Sequence, residues 1–182
     1  QPLPYSHLTV TAALGKIEFR EVMTKLGPFT ELYIPGYCHS SVVGDPDLPT
    51  FGKLIEIPVN ATPEISITRQ DYIDLDLSTY AIHTRLIPTQ ASVSKGITDP
   101  SQIPFVLNDA TYQLNRFTGA PLVQINPAGT LRTLNLVQLQ ISPVQYNPVT
   151  NQLRVYTALE FKITYRNMDV VATQKQKSRY AS

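Results

Sequence analysis

Tryptophan is absent from this chain, and cysteine occurs once, at Cys38. A single cysteine excludes an internal disulfide, so the fold must rest on its own core. Charge of one sign is also missing. Fifteen Lys and Arg stand against fourteen Asp and Glu, for a formal net charge of +1. That balance supplies no field to gather nucleic acid or an anionic membrane. No apolar run approaches the roughly 20 residues of a membrane-spanning helix. The three histidines, His7, His39 and His83, are scattered, whereas a metal site needs clustered ligands at short spacing. G-x-S-x-G, Walker and G-x-G-x-x-G signatures are lacking, so no cofactor is expected. No window of about a dozen residues shows a helical stripe.

What remains suits a globular β-domain. The 182 residues are 42% apolar and 16% charged, with 15 prolines spread along the chain. That length allows one domain with a real core, and so much proline favours short strands and turns over helices. From Leu153 to Tyr165 the odd positions read Leu, Val, Thr, Leu, Phe, Ile, Tyr, and the even ones are mostly polar. This predicts a long half-buried strand. Upstream, Leu134 and Leu136 sit on even positions, while Val137, Leu139 and Ile141 sit on odd ones. The phase flip predicts a β-bulge that would turn both sets inward. Asn147-Pro148 and Asn151 predict a hairpin before the long strand. Ile55, Ile57 and Val59 predict another strand, followed by a turn at Asn60-Ala61-Thr62-Pro63. Ile65 and Ile67, then Ile73, Leu75 and Leu77, keep one parity. Ile17 with Phe19, and Leu32 with Ile34, belong to two more strands. Eight to ten strands at this spacing predict an all-β, antiparallel, jelly-roll-like β-sandwich.

Two stretches lack alternation. Residues 36–52 contain the rigid Gly44-Asp45-Pro46-Asp47-Leu48-Pro49 loop, and residues 88–130 are punctuated by Pro and Gly. So long a patternless region is either functional or a set of misread short strands. A turn of helix fits Asn108–Tyr112. From Asn167 the chain turns polar, then basic at Lys175, Lys177 and Arg179. Residues 1–166 therefore form the expected domain, and 167–182 the expected linker, without secondary structure and suited to a Lys/Arg-specific protease.

Catalytic constellations are weak. Cys38 and His39 are adjacent, but strand neighbours point to opposite faces. Cys38 is expected as a small buried or half-buried side chain. Asp74 and Asp76 share one strand face, expected to be solvated, and the Asp71–Asp76 group lacks a calcium-loop pattern. The Asn60-Ala61-Thr62 sequon reads as turn chemistry.

Several ordered segments carry a resemblance. Gly27-Pro28-Phe29-Thr30, Ile34-Pro35-Gly36, the Gly44–Pro49 loop and Lys53–Pro63 resemble the prodomains of gingipains. These are Arg- and Lys-specific cysteine proteases of peptidase family C25 from an oral bacterium. Ser92–Lys95, Asp99–Phe105, Gly129–Arg132 and, most strongly, Pro143–Tyr156 continue the match to Ala172-Thr173-Gln174. The lysine-specific member is the most similar. The resemblance implies a non-catalytic β-sandwich zymogen prodomain ahead of a caspase-like Cys/His catalytic domain, its partner. Such a prodomain keeps the protease latent and assists its folding. It is exported to the periplasm and cell surface, then cut away at basic residues. Inhibition by substrate mimicry implies a basic side chain presented to the S1 pocket. Lys95 is the first candidate. The Tyr112–Gly119 loop, with Asn115 and Arg116, is the second, and Asn115 stands where the lysine-specific member has a lysine.

Two other readings stay open. A secreted β-sandwich adhesion or carbohydrate-binding module predicts exposed aromatics on one sheet face, for which Tyr156 is the lone candidate. A small hydrolase requires a pocket converging on His83 or Cys38–His39. Partner specificity and oligomeric state are not legible.

Overall fold

A computed structural model describes residues 6–93, 103–131 and 134–178. Among these, nine strands form three antiparallel groups. The organising element is β9, Gln152–Arg166, the long strand its alternation predicts. It pairs with β1 (His7–Ala13) and with β8 (Val144–Asn147), and along its whole length with β5 (Thr62–Asp76). A second sheet runs β4–β7–β6, from Phe51–Ile57, Leu134–Ile141 and Val123–Leu131. β2 (Glu18–Thr24) and β3 (Gly27–Tyr33) form a separate ribbon. The architecture is thus the expected all-β sandwich.

Two hydrophobic cores lie along β9. Leu159, Phe161, Ile163 and Tyr165 pack against Leu139 and Ile141 of β7, sheet on sheet. Leu153 and Val155, nearer the start of β9, pack instead with Leu32, Ile34, Leu48, Leu77, Leu86, Val144 and Tyr146. These side chains come from the ribbon, from loops and from β8. Between the cores, inward-parity Thr157 is exposed.

The β5–β9 ladder explains that division. Its register slips after Ile67 and slips back before Tyr72, leaving Thr68 extra on β5 and Thr157 extra on β9. Each bulged threonine hydroxyl bonds across the ladder, Thr68 to the Glu160 carbonyl at 3.1 Å and Thr157 to the Asp71 carbonyl at 3.3 Å. One bulge on each strand cancels the other, which is why Ile65 and Leu75 keep one parity.

Some expectations shift. The bulge predicted within β7 sits on its partner, where Ala128 of β6 is extra between Pro127 and Gly129. β7 itself stays in regular register with β4, so Leu134 and Leu136 face away from Val137, Leu139 and Ile141. The hairpin joins β8 to β9, while β7 belongs to the other sheet. Part of the patternless stretch is a misread strand, β6, and β1 lies where no strand is expected. The short helix α1, Asp109–Tyr112, forms where one turn is predicted. The turn before β5 forms at Asn60, whose φ of 59° lies in the left-handed region that Asn tolerates.

The tail differs most. Residues Val170–Ser178 form helix α2 rather than an unstructured linker. Asp169 caps it, accepting from the Ala172 N–H at 2.8 Å. Thr173 is buried; its hydroxyl donates to the Asp169 carbonyl and accepts from the Val59 N–H at 3.0 Å. The Asp169 N–H reaches the Val59 carbonyl at 2.8 Å. Backbone groups of the β4–β5 connection thus fix the start of this helix.

Candidate functional site

The segment from Tyr112 to Gly119 is an exposed arch anchored at both ends. At its start, Asp45 of the Gly44–Pro49 loop accepts from Asn108 Nδ2 and Thr111 Oγ1, both at 2.7 Å. Gly44 makes this possible: the Asn108 N–H bonds its carbonyl at 2.9 Å, and a Cβ there would lie 3.2 Å from that nitrogen. The Tyr112 ring is buried, and its hydroxyl donates to the Leu86 carbonyl at 2.6 Å. Burial, and secondarily the neighbouring Tyr146, hold the Tyr112 phenol well above its ordinary range.

At the other end, Thr118 and Tyr146 exchange both backbone hydrogen bonds, at 2.8 and 2.9 Å. Tyr146 is fully buried; its hydroxyl donates to Asn151 Oδ1 at 2.7 Å, and burial pushes it up to about 12. Gly119 follows with φ of 151°, and a Cβ there would sit 3.1 Å from Leu48 Cδ1 and 3.3 Å from the Val144 carbonyl. Only glycine passes at that point without displacing the core.

Between the anchors lie Asn115 and Arg116, both exposed. Asn115 Oδ1 accepts from Asn147 Nδ2 at 3.1 Å, which braces the arch from the β8–β9 hairpin. Among the described residues Arg116 makes no ion pair, and it lines a cleft of about 470 Å³ with Ser40, Asp45, Thr111, Leu114 and Gln140. Phe117 turns the other way, onto the guanidinium of Arg154, 4.4 Å from its ring centroid. The arrangement is therefore a short, braced loop displaying one amide and one cation beside a cleft of mixed polar and apolar lining.

The remaining candidates fall elsewhere. Lys95 and Arg179 lie outside the described residues. Lys175 and Lys177 sit on α2, and Lys177 Nζ is 3.3 Å from Glu56 Oε2. The acidic group has structural partners: Asp71 pairs with Arg69, Asp74 with Arg154, and Asp76 accepts from the Ser78 N–H at 2.9 Å. Cys38 is exposed, not buried, and its backbone bridges Thr50. Its neighbour His39 bonds Asp47 at 2.6 Å. Tyr156 is not a lone outward aromatic, since Tyr72 lies 5.6 Å away across the ladder. Tyr112, Tyr146 and Arg154, which shape the loop, went unflagged in the sequence. Tyr112 lies in a stretch without alternation, Tyr146 beside a turn and Arg154 at an outward strand position, and the pairing of Arg154 with Asp74 is set by the β5–β9 register.

Comparisons with known proteins identify the family and the fold. The family described as Propeptide_C25 matches residues 5–180. Lys-gingipain of Porphyromonas gingivalis is 37% identical over 174 residues, which is 94% of this chain and 10% of that protein. Gingipain R1 of the same organism is 23% identical over 154 residues, 83% of this chain and 14% of that protein. The chain thus spans about a tenth of the length of the Lys-gingipain relatives it matches. A solved structure concerning the zymogenic latency of gingipain K from Porphyromonas gingivalis superposes with a TM-score of 0.82 at 34% identity, covering 89% of this chain and 88% of that one. A complex of the pro- and mature domains of RgpB shares the fold, with a TM-score of 0.75 at 21% identity over 90% of this chain and 82% of that one.

Proposed function

The chain belongs to the C25 propeptide family, and from that premise we propose that it is the N-terminal prodomain of a gingipain-like cysteine protease. It has no catalytic role of its own. It holds a caspase-like catalytic domain latent, assists its folding, and acts along an export route through the periplasm to the cell surface. The observation that carries this reading is the doubly anchored Tyr112–Gly119 arch with exposed Asn115 and Arg116 at its crest.

The physics suits an inhibitor. A loop already held in one shape loses little entropy on binding. A basic side chain seated in S1, from Arg116 or from Lys95, would give a desolvated charge pair at the centre of the interface, and surrounding contacts would exclude water. Covalent linkage to the protease raises the effective concentration, so modest intrinsic affinity suffices for latency. Processing then removes that linkage. Proteases need extended substrate, so Lys175 and Lys177 become cleavable only when α2 opens.

The test is a titration of residues 1–182 against the cognate catalytic domain, read with Lys- and Arg-reporter peptides, with Lys95→Ala and Arg116→Ala in parallel. Competitive inhibition by the wild type, lost in one variant, supports the reading and names the S1 residue. Absence of inhibition at micromolar chain would sink inhibition in trans and leave a folding aid.

A further inference from the structure

We propose that Arg154 is a positioning residue, a strut that preorganises the inhibitory arch by clamping Phe117 to edge strand β5; this rests on the prodomain reading above. Arg154 stands at an outward position of β9, directly opposite Asp74 of β5. Its Nε and one terminal nitrogen donate to the two Asp74 oxygens, both at 2.8 Å. That fork fixes the plane of the guanidinium. The Tyr72 ring centroid lies 4.3 Å from Arg154 Cζ, and the Phe117 ring centroid 4.4 Å. The cation is thus stacked on two rings while a carboxylate grips its edge, and only 26% of the side chain stays exposed. Tyr156 supports the stack by packing on Tyr72.

The clamp acts on the residue that matters. Phe117 follows Arg116 directly, so fixing its ring fixes the backbone that carries Arg116. The two anchors at Tyr112 and Thr118 hold the ends of the arch, and the strut holds the segment between them. Arg154 itself is committed to Asp74 and to both rings, so it is no candidate for S1. Arginine suits the place because a planar fork pairs with a carboxylate and stacks on aromatic rings at once, whereas an ammonium does not. Asp74 responds as a gripped partner should: the hydrogen bond from Arg154 holds its carboxyl below the usual range.

The experiment uses the full 1–182 chain as Arg154→Ala, Arg154→Lys and Phe117→Leu. Amide exchange at residues 113–117 is measured in the free chain, and association and dissociation rates against the catalytic domain. Arg154→Ala is expected to speed exchange there by about tenfold and to raise the dissociation rate by a similar factor, with association nearly unchanged. Arg154→Lys should recover part of both effects. Phe117→Leu removes the far end of the stack but leaves the Arg154–Asp74 pair, so it should loosen the arch even if Arg154→Ala perturbs the sheet. Wild-type exchange at 113–117 in both Arg154→Ala and Phe117→Leu would overturn the strut. The exchange arm needs no protease, so it stands or falls separately from the inhibitor reading.

Discussion

The two halves of β9 build two different kinds of core. Its second half, from Leu159 to Tyr165, packs sheet on sheet against β7 in a cluster of aliphatic side chains, one phenylalanine and one tyrosine ring. Its first half, Leu153 and Val155, lies in a core assembled from a ribbon, loops and a short hairpin. That core also encloses hydroxyls and amides, among them Tyr112, Tyr146 and Asn147. Regular pairing supplies its own backbone hydrogen bonds, but loops do not, so the first half satisfies its buried carbonyls with side chains. The reward is shape. A loop-built core can hold an arch such as Tyr112–Gly119 away from the sheet, whereas a sheet-built core cannot. Helix α2, in contrast, starts against the second half, at the β4–β5 connection.

A cavity in the second half separates the two cores most clearly. Phe161 is fully buried, and Phe161→Ala is expected to cost about 3–5 kcal/mol and to lower the midpoint of denaturant unfolding for the whole chain. If the arch then unfolds at unchanged denaturant while the sheet melts early, the halves are separate cooperative units. A smaller effect is expected from Tyr146→Phe, about 1–3 kcal/mol, because it strips a donor from half-buried Asn151 and an acceptor from the buried Leu86 N–H. Its mark should be local, with faster exchange near Leu86 and Thr118.

Alkali tests the same hydroxyl. The Tyr146 phenol is raised in the folded state, so burying it neutral stabilises the chain fully below pH 10.0. That contribution is lost as pH climbs through about 12. Unfolding and phenolate absorbance are expected to rise together in that window. Next in size is Thr173→Val, about 1 kcal/mol. It removes the hydroxyl that ties α2 to Val59, so a lysine-specific endoprotease should cut faster after Lys175 and Lys177 while inhibition is unchanged. The smallest effect is acid loosening of the strut. The Asp74 carboxyl is lowered from 3.8, so its pairing with Arg154 contributes above that pH and fades as pH falls through the lower folded value. Exchange at 113–117 should quicken there before the sheets do.

The same division explains what the sequence discloses. Odd-position Leu153 to Tyr165 announces β9 because one face is buried along nearly its whole length. The Asn60 and Asn151 turns are equally plain, since few residues accept positive φ. β6 is hidden because its bulge and Pro127 break the alternation. Helix α2 is hidden because its anchoring is one buried threonine and a capped backbone, not an apolar stripe. Arg116 is visible as a basic residue in a matching segment. The residues that give it a fixed place, Tyr112, Tyr146 and Arg154, act through contacts between elements far apart in sequence, and only register and packing bring those together.

The central claim is that the inhibitory surface belongs to the loop-built half and helix α2 to the other. Amide exchange of the chain, free and bound to its catalytic domain, tests it most directly. Protection gained at 112–119, with α2 and the outward face of β4–β7–β6 unchanged, is the predicted result. Protection on that outward face, with none gained at 112–119, would contradict the account.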